Sequence, residues 1–128
     1  MSMPLSGVRV LDLTVMIAGP VSAMILADLG AEVIKIEKPG TGEGARGMQP
    51  HFFKGESAYF IAFNRNKKSV VLDLKGEYGK KTFYELVKKS DVVVDNYRPG
   101  VLEKLKIEYD ILSKINSRII CCSITGYG

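Results

Sequence analysis

The sequence contains only two cysteines and one histidine. Cys121 and Cys122 are adjacent within an apolar run, which is not the spacing of a disulfide framework. They read as buried core thiols of a reducing compartment. With His51 alone, they make no metal site. No run of about 18 or more apolar residues occurs, so no helical membrane span is expected. The N-terminus lacks a positive segment followed by a long apolar one, so no secretory signal is read and a cytoplasmic location is expected. No dense basic run is interleaved with aromatics, and the net charge is a modest +4. Nucleic acid is therefore not expected as a partner, whereas a small anionic ligand is allowed.

Two nucleotide fingerprints are also missing. G-x-G-x-x-G is absent, because Gly19 is the only glycine between Asp12 and Val21. Gly40, Gly42, Gly44 and Gly47 come too late in the chain, so Glu37 at a ribose-binding distance from Gly19 does not make a dinucleotide site. No Gly-Lys-Ser or Gly-Lys-Thr is present, which removes the P-loop. Nothing pairs a serine or cysteine with His51, and no catalytic residue is assigned within residues 1–128. Asp12 reads as a group that satisfies nearby loop N–H donors.

What is present is a chain of 128 residues, 46% hydrophobic and 25% charged, enough for one domain with a real core. The apolar run 8–13 reads as a strand, Val21–Leu29 as a short helix, and Glu32–Glu37 as a second strand. Pro20 suits the first helical turn, and Gly30 supplies the positive φ that ends a helix. The helix is apolar on more than one face, which predicts burial between the sheet and a second layer. Its N-terminus could alternatively receive a polar ligand. Asn64–Lys68 reads as a basic turn and Ser69–Leu74 as a third strand covered on both faces. Gly76–Lys89 reads as an amphipathic helix and Asp91–Asp95 as a fourth strand. Short helices at Val101–Leu105 and Tyr109–Lys114 precede a fifth strand at Arg118–Ser123. The fold class is therefore α/β: a Rossmann-like, open, mainly parallel, doubly wound sheet. The chain stops at Gly128, directly after a strong strand, so an N-terminal portion of a longer polypeptide is expected.

Ligands of such sheets bind outside the carboxyl ends of the strands. Those ends fall at 14–20, 37–47, 73–76, 95–104 and 124–128. Lys38, Lys75, Arg98 and Lys104 all map there, a set suited to several phosphates. Asn96 and Tyr97 either close a turn or hold an adenine by hydrogen bond and stacking. Arg98-Pro99-Gly100 would then open the next helix near phosphate.

Taken in order, Ala18-Gly19-Pro20, Leu26–Ala31, Val33–Glu37, Asn64–Ser69, Leu72–Lys75, Asn96–Gly100 and Ser123–Gly128 resemble the N-terminal part of the family III CoA-transferases. That family includes formyl-CoA transferase, carnitine CoA-transferase and alpha-methylacyl-CoA racemase. The resemblance implies an acyl-CoA:carboxylic acid CoA-transferase, with a 2-methylacyl-CoA racemase or a non-catalytic CoA-binding module as alternatives. It implies CoA or acyl-CoA as substrate with no permanently bound cofactor, a carboxylic acid as the other partner, and an interlocked homodimer with a second, smaller domain beyond residue 128. By motif position, the CoA contacts would fall on Ile17, Ala18, Lys38, Leu72, Asp73, Leu74, Lys75, Asn96, Tyr97, Arg98 and Lys104. The catalytic aspartate would lie past Gly128. It would attack the thioester to form a mixed anhydride, which CoA thiolate then reopens. A glutamine linked to the acyl intermediate in formyl-CoA transferase is replaced here by Ile17, which cannot hydrogen-bond. Lys104 stands where arginine is common.

Overall fold

The computed structural model describes residues 2–127; the last residue of the final motif, Gly128, lies outside them. The elements run β1 (Arg9–Asp12), α1 (Ala18–Asp28), β2 (Glu32–Glu37), a 3-10 turn at Gly44–Gly47, β3 (Phe52–Phe53), β4 (Glu56–Ser57), α2 (Ala58–Phe63), β5 (Lys67–Val71), α3 (Glu77–Val87), β6 (Val92–Asp95), α4 (Val101–Leu105), α5 (Tyr109–Ile115) and β7 (Ile120–Ser123).

The main sheet is five-stranded in the order β5-β2-β1-β6-β7. Every pair in it is parallel, with Val10 opposite Val33 on one side and Val92 on the other. The chain starts at the centre, steps outward through β2 to β5, returns over the sheet through α3, and steps outward again through β6 to β7. The strand order therefore reverses between β1 and β6, the switch point of such a sheet.

The period-2 alternation of the strands divides the core between the two faces. Leu11, Leu13, Ile36 and Val93 pack with Phe83 and Val87 of α3 and Leu112 of α5. Val10, Val33 and Val94 pack with Ala23 and Ala27 of α1 on the other side. Small residues on the inner side of α1 let its backbone lie close to the sheet. Gly30 ends that connection with φ +103°, a conformation in which a Cβ would be strained.

Several expectations change. The third strand is Lys67–Val71, not 69–74, and it is a sheet edge with Val71 58% exposed. Its ladder with β2 ends where the Leu72 N–H donates to the Glu37 carbonyl, and Asp73 then turns the chain. Leu72 and Leu74 therefore belong to a turn that packs on the core, while Lys67 and Lys68, expected in a turn, are strand residues. The outer side of α1 is not covered by a second layer among the described residues, because Ile25 is 51% exposed. The cysteines are not core thiols: β7 is the other edge, so Cys121 is half-buried and Cys122 exposed. Burial raises the Cys121 thiol above its ordinary pKa. The β3–β4 hairpin had no sequence expectation, its strands being two residues each. No helix among the described residues is long and apolar enough to cross a membrane.

Candidate functional site

At the carboxyl edge of the sheet, the end of β2, the 72–75 turn and α4 enclose a cleft of about 400 Å³. Ile36, Leu74, Val101 and Leu105 supply apolar wall, and Lys38, Lys75 and Lys104 stand at its border. Local chemistry shapes each wall. The Asp73 carboxylate accepts from the Lys75 N–H at 3.0 Å and its carbonyl from the Gly76 N–H at 3.1 Å, which folds the turn back towards the cleft. Gly100 takes φ +83° just before α4, and that reversal aims α4 across the strand ends.

Tyr97 borders this cleft and two smaller hollows. One, of about 220 Å³, is lined by Val15, Gly42, Glu43 and Gly44 and shares Ile36, Glu37 and Lys38 with the cleft. The other, of about 210 Å³, is lined by Asp95, Arg98, Gly100 and Ser123. Asp95 fixes the junction, accepting from the Tyr97 N–H at 3.1 Å and from the Ser123 hydroxyl at 2.6 Å. Burial, reinforced by the Asp95 carboxylate, raises the Tyr97 hydroxyl above its ordinary pKa, so Tyr97 offers a neutral ring and a proton donor.

Of the residues singled out from sequence, Lys38, Leu72, Asp73, Leu74, Lys75, Tyr97 and Lys104 line one cleft. Arg98 lines the adjoining hollow that also touches Tyr97, not the cleft. Asn96 turns inward. Its amide accepts from the Val15 N–H and donates to the Val15 carbonyl, both at 2.8 Å, so the side chain is committed to the loop rather than free to hold an adenine. Ile17 and Ala18 are exposed where α1 begins and line none of the three hollows.

Beneath the edge lies a network of buried charge that includes Asp12, Glu37, Glu43, Lys35 and Lys67. Asp12 and the side chains of Lys35 and Lys67 are at most 1% exposed. The Lys67 ammonium donates at 2.8 Å to Asp12, to the Pro20 carbonyl and to Asn64. Lys35 donates to the Thr14 carbonyl at 2.9 Å and lies 3.6 Å from Asp12. Asp12 does satisfy a loop donor, the Thr14 N–H at 2.8 Å, but it also anchors two cations. Burial draws the Lys67 ammonium below its ordinary pKa, against the opposing pull of Asp12. Lys35, Glu43, Arg46 and Lys67 are not among the site residues expected from the sequence. A usable signal was Lys35 itself, a charge between Ile34 and Ile36 in the interior of a parallel strand, which demands a buried partner.

Glu37, 3% exposed, is gripped by both the Nε and the Nη2 of Arg46, at 2.7 and 2.8 Å. The Arg46 guanidinium, helped by the Ser69 hydroxyl, holds this carboxyl at about 2, below its ordinary 4.5. A depressed carboxyl stabilises the fold above its unfolded pKa and loses that stabilisation as pH falls through the folded one. Stability should therefore drop between pH 4.5 and 2, by about 1 to 2 kcal/mol once the partial exposure of Arg46 is discounted. Urea unfolding at stepped pH measures it. Glu37→Gln should flatten the profile across that window; an unchanged profile refutes the assignment.

The family model for CoA-transferase family III matches residues 5–128. The chain belongs to that family. It is 50% identical over 125 residues to the succinyl-CoA:glutarate CoA-transferase of Mus musculus, covering 98% of this chain and 29% of the relative. It is 43% identical over 128 residues to the formyl-CoA:oxalate CoA-transferase of Rhodopseudomonas palustris, covering 100% of this chain and 30% of the relative. Among solved structures, a CAIB/BAIF family protein from Brucella suis superposes with a TM-score of 0.92 at 40% identity, over 100% of this chain and 35% of that one. The chain thus spans about 30% of the length of these curated relatives. As a family III chain it carries the cleft, Tyr97 at its border and the buried charge network within that portion.

Proposed function

We propose that this chain forms the coenzyme-binding part of an acyl-CoA:carboxylic acid CoA-transferase. The observation that carries the reading is the cleft at the carboxyl edge, where an apolar wall suited to an adenine ring meets Lys38, Lys75 and Lys104. These three ammoniums, and Arg98 beyond Tyr97, have no ion-pair partner among the described residues, so their charge is available to phosphate. The 5′-diphosphate and 3′-phosphate of CoA would meet the lysines, and the thioester arm would pass Tyr97 towards the hollow lined by Val15. The residues of this chain bind and orient; the acid–thioester exchange needs a nucleophile that none of them is assigned to supply. The uncovered apolar side of α1 supports burial of that surface in the assembled protein.

Calorimetric titration of the intact protein with CoA tests binding. Lys38→Ala, Lys75→Ala and Lys104→Ala should each weaken CoA by about fivefold, the value of one partly screened charge-assisted contact, and the loss should shrink as salt rises. Binding that none of the three variants alters would discard the cleft as the site. With an acyl-CoA labelled in its CoA moiety and a panel of free acids, label appearing on a new acyl-CoA supports transfer. Deuterium entering the alpha carbon without acyl exchange replaces transfer with racemisation.

A further inference from the structure

The segment 14–17 leaves β1, crosses the edge of the smaller hollow and enters α1. Its backbone is held from three distant places. Lys35 donates to the Thr14 carbonyl at 2.9 Å, the Asn96 amide brackets both polar groups of Val15 at 2.8 Å, and Glu43 accepts from the Met16 N–H at 2.8 Å. The result is a non-glycine residue in the left-handed region, Met16 at φ +70°. Such a conformation costs free energy and persists only where surrounding bonds over-determine it. Glu43 is unusual for the task. It is 4% exposed, and the oxygen that holds Met16 also accepts from the Ala45 N–H at 2.7 Å, which ties the glycine-rich loop to the segment. Its other oxygen is buried without a hydrogen bond, 3.9 Å from the Lys35 ammonium. An unsatisfied buried carboxylate oxygen is expensive. Met16 and Ile17, by contrast, expose their apolar side chains by 42% and 41% beside this restrained backbone.

We infer that Glu43 and Asn96 are positioning residues that lock the 15–17 segment in its left-handed bend, so that Val15 presents a preformed wall to the pantetheine arm of the ligand. The inference rests on the proposed function and assigns the two side chains to the segment rather than to the ligand itself. Val15 forms that wall in the smaller hollow, while the nucleotide cleft shares no residue with the segment. Loosening the segment therefore separates the two ends of the coenzyme energetically.

The test titrates the intact protein with CoA and with adenosine 3′,5′-bisphosphate, which lacks the arm. Glu43→Ala and Asn96→Ala should each weaken CoA about tenfold, as expected when hydrogen bonds that preorganise a wall are lost, and leave the bisphosphate within about twofold. Glu43→Gln should regain most of the CoA affinity, since its amide oxygen can accept from both Met16 and Ala45, although it melts lower for want of charge opposite Lys35. Should Glu43→Ala fail to fold, Asn96→Ala and Glu43→Gln decide. Equal losses for both ligands, or no loss for CoA, overturn the inference. Wild-type protein that binds neither ligand brings down the functional reading itself, a result distinct from a variant that fails to separate them.

Discussion

Asp12→Ala is expected to destabilise the protein by about 3 to 5 kcal/mol, the cost of removing one partner from a buried ion pair. Asp12 is fully buried. It is the carboxylate beside two sequestered ammoniums, at 2.8 Å from Lys67 and 3.6 Å from Lys35. Its second oxygen also accepts from the N–H and hydroxyl of Thr14. Removing it leaves Lys67 with only the neutral oxygens of Pro20 and Asn64, and Lys35 with Thr14 and a distant Glu43. The penalty is then the unpaired positive charge rather than the lost contact. Asp12→Ala combined with Lys67→Met should cost clearly less than the sum of the two single changes, because the double variant buries no orphaned Lys67 ammonium. Urea unfolding of all four proteins supplies the cycle. A single-variant loss below about 1 kcal/mol, or strict additivity, would show that the pair does not carry this weight.

Gly79→Ala is expected to lower both stability and CoA affinity, although alanine is the better helix former by about 1 kcal/mol. A Cβ at this position of α3 would stand 2.1 Å from the Asp73 carbonyl oxygen and 2.7 Å from its carbon. Those atoms are backbone and cannot rotate away, so the 73–75 turn or the start of α3 has to shift. Overpacking of this kind costs about 3 kcal/mol at the upper end of its usual range. The clash outweighs the propensity gain and leaves a net loss of about 2 kcal/mol. The displaced turn carries Leu74 and Lys75 into the cleft, so CoA should bind about tenfold more weakly. Thermal unfolding and calorimetry read the two effects. A variant as stable as wild type would mean that α3 starts elsewhere in solution.

The βαβ unit was legible because each of its signals is local. Alternating apolar residues, Pro20 in the first turn and Gly30 past the last one act within a few residues, and β2 falls at Glu32–Glu37 where the pattern places it. α4 is equally plain from Gly100 onward. β5 ends earlier than its composition predicts, because Leu72 and Leu74 continue an apolar run that is a strand pattern. What ends the strand is not composition but Asp73, which takes the chain into a turn as the ladder with β2 runs out. The cysteines and the outer side of α1 differ from expectation for a related reason. Apolar character says that a residue can be buried, not that a neighbour is there to bury it.

Family, fold class and the gathering of basic residues at one edge of the sheet were determined by the sequence itself, because parallel strands fed by short crossovers deliver all their carboxyl ends to the same side. Only the tertiary structure decided how the side chains there divide their work. Asn96 was drawn inward by the Val15 backbone, 81 residues away in sequence. Lys35 and Lys67 became buried counter-charges of Asp12, and Glu43 became the tie between two loops. The physical reason is that a polar group excluded from water must take whatever partner lies within hydrogen-bond reach, and that reach is set by strand register and loop geometry rather than by position along the chain.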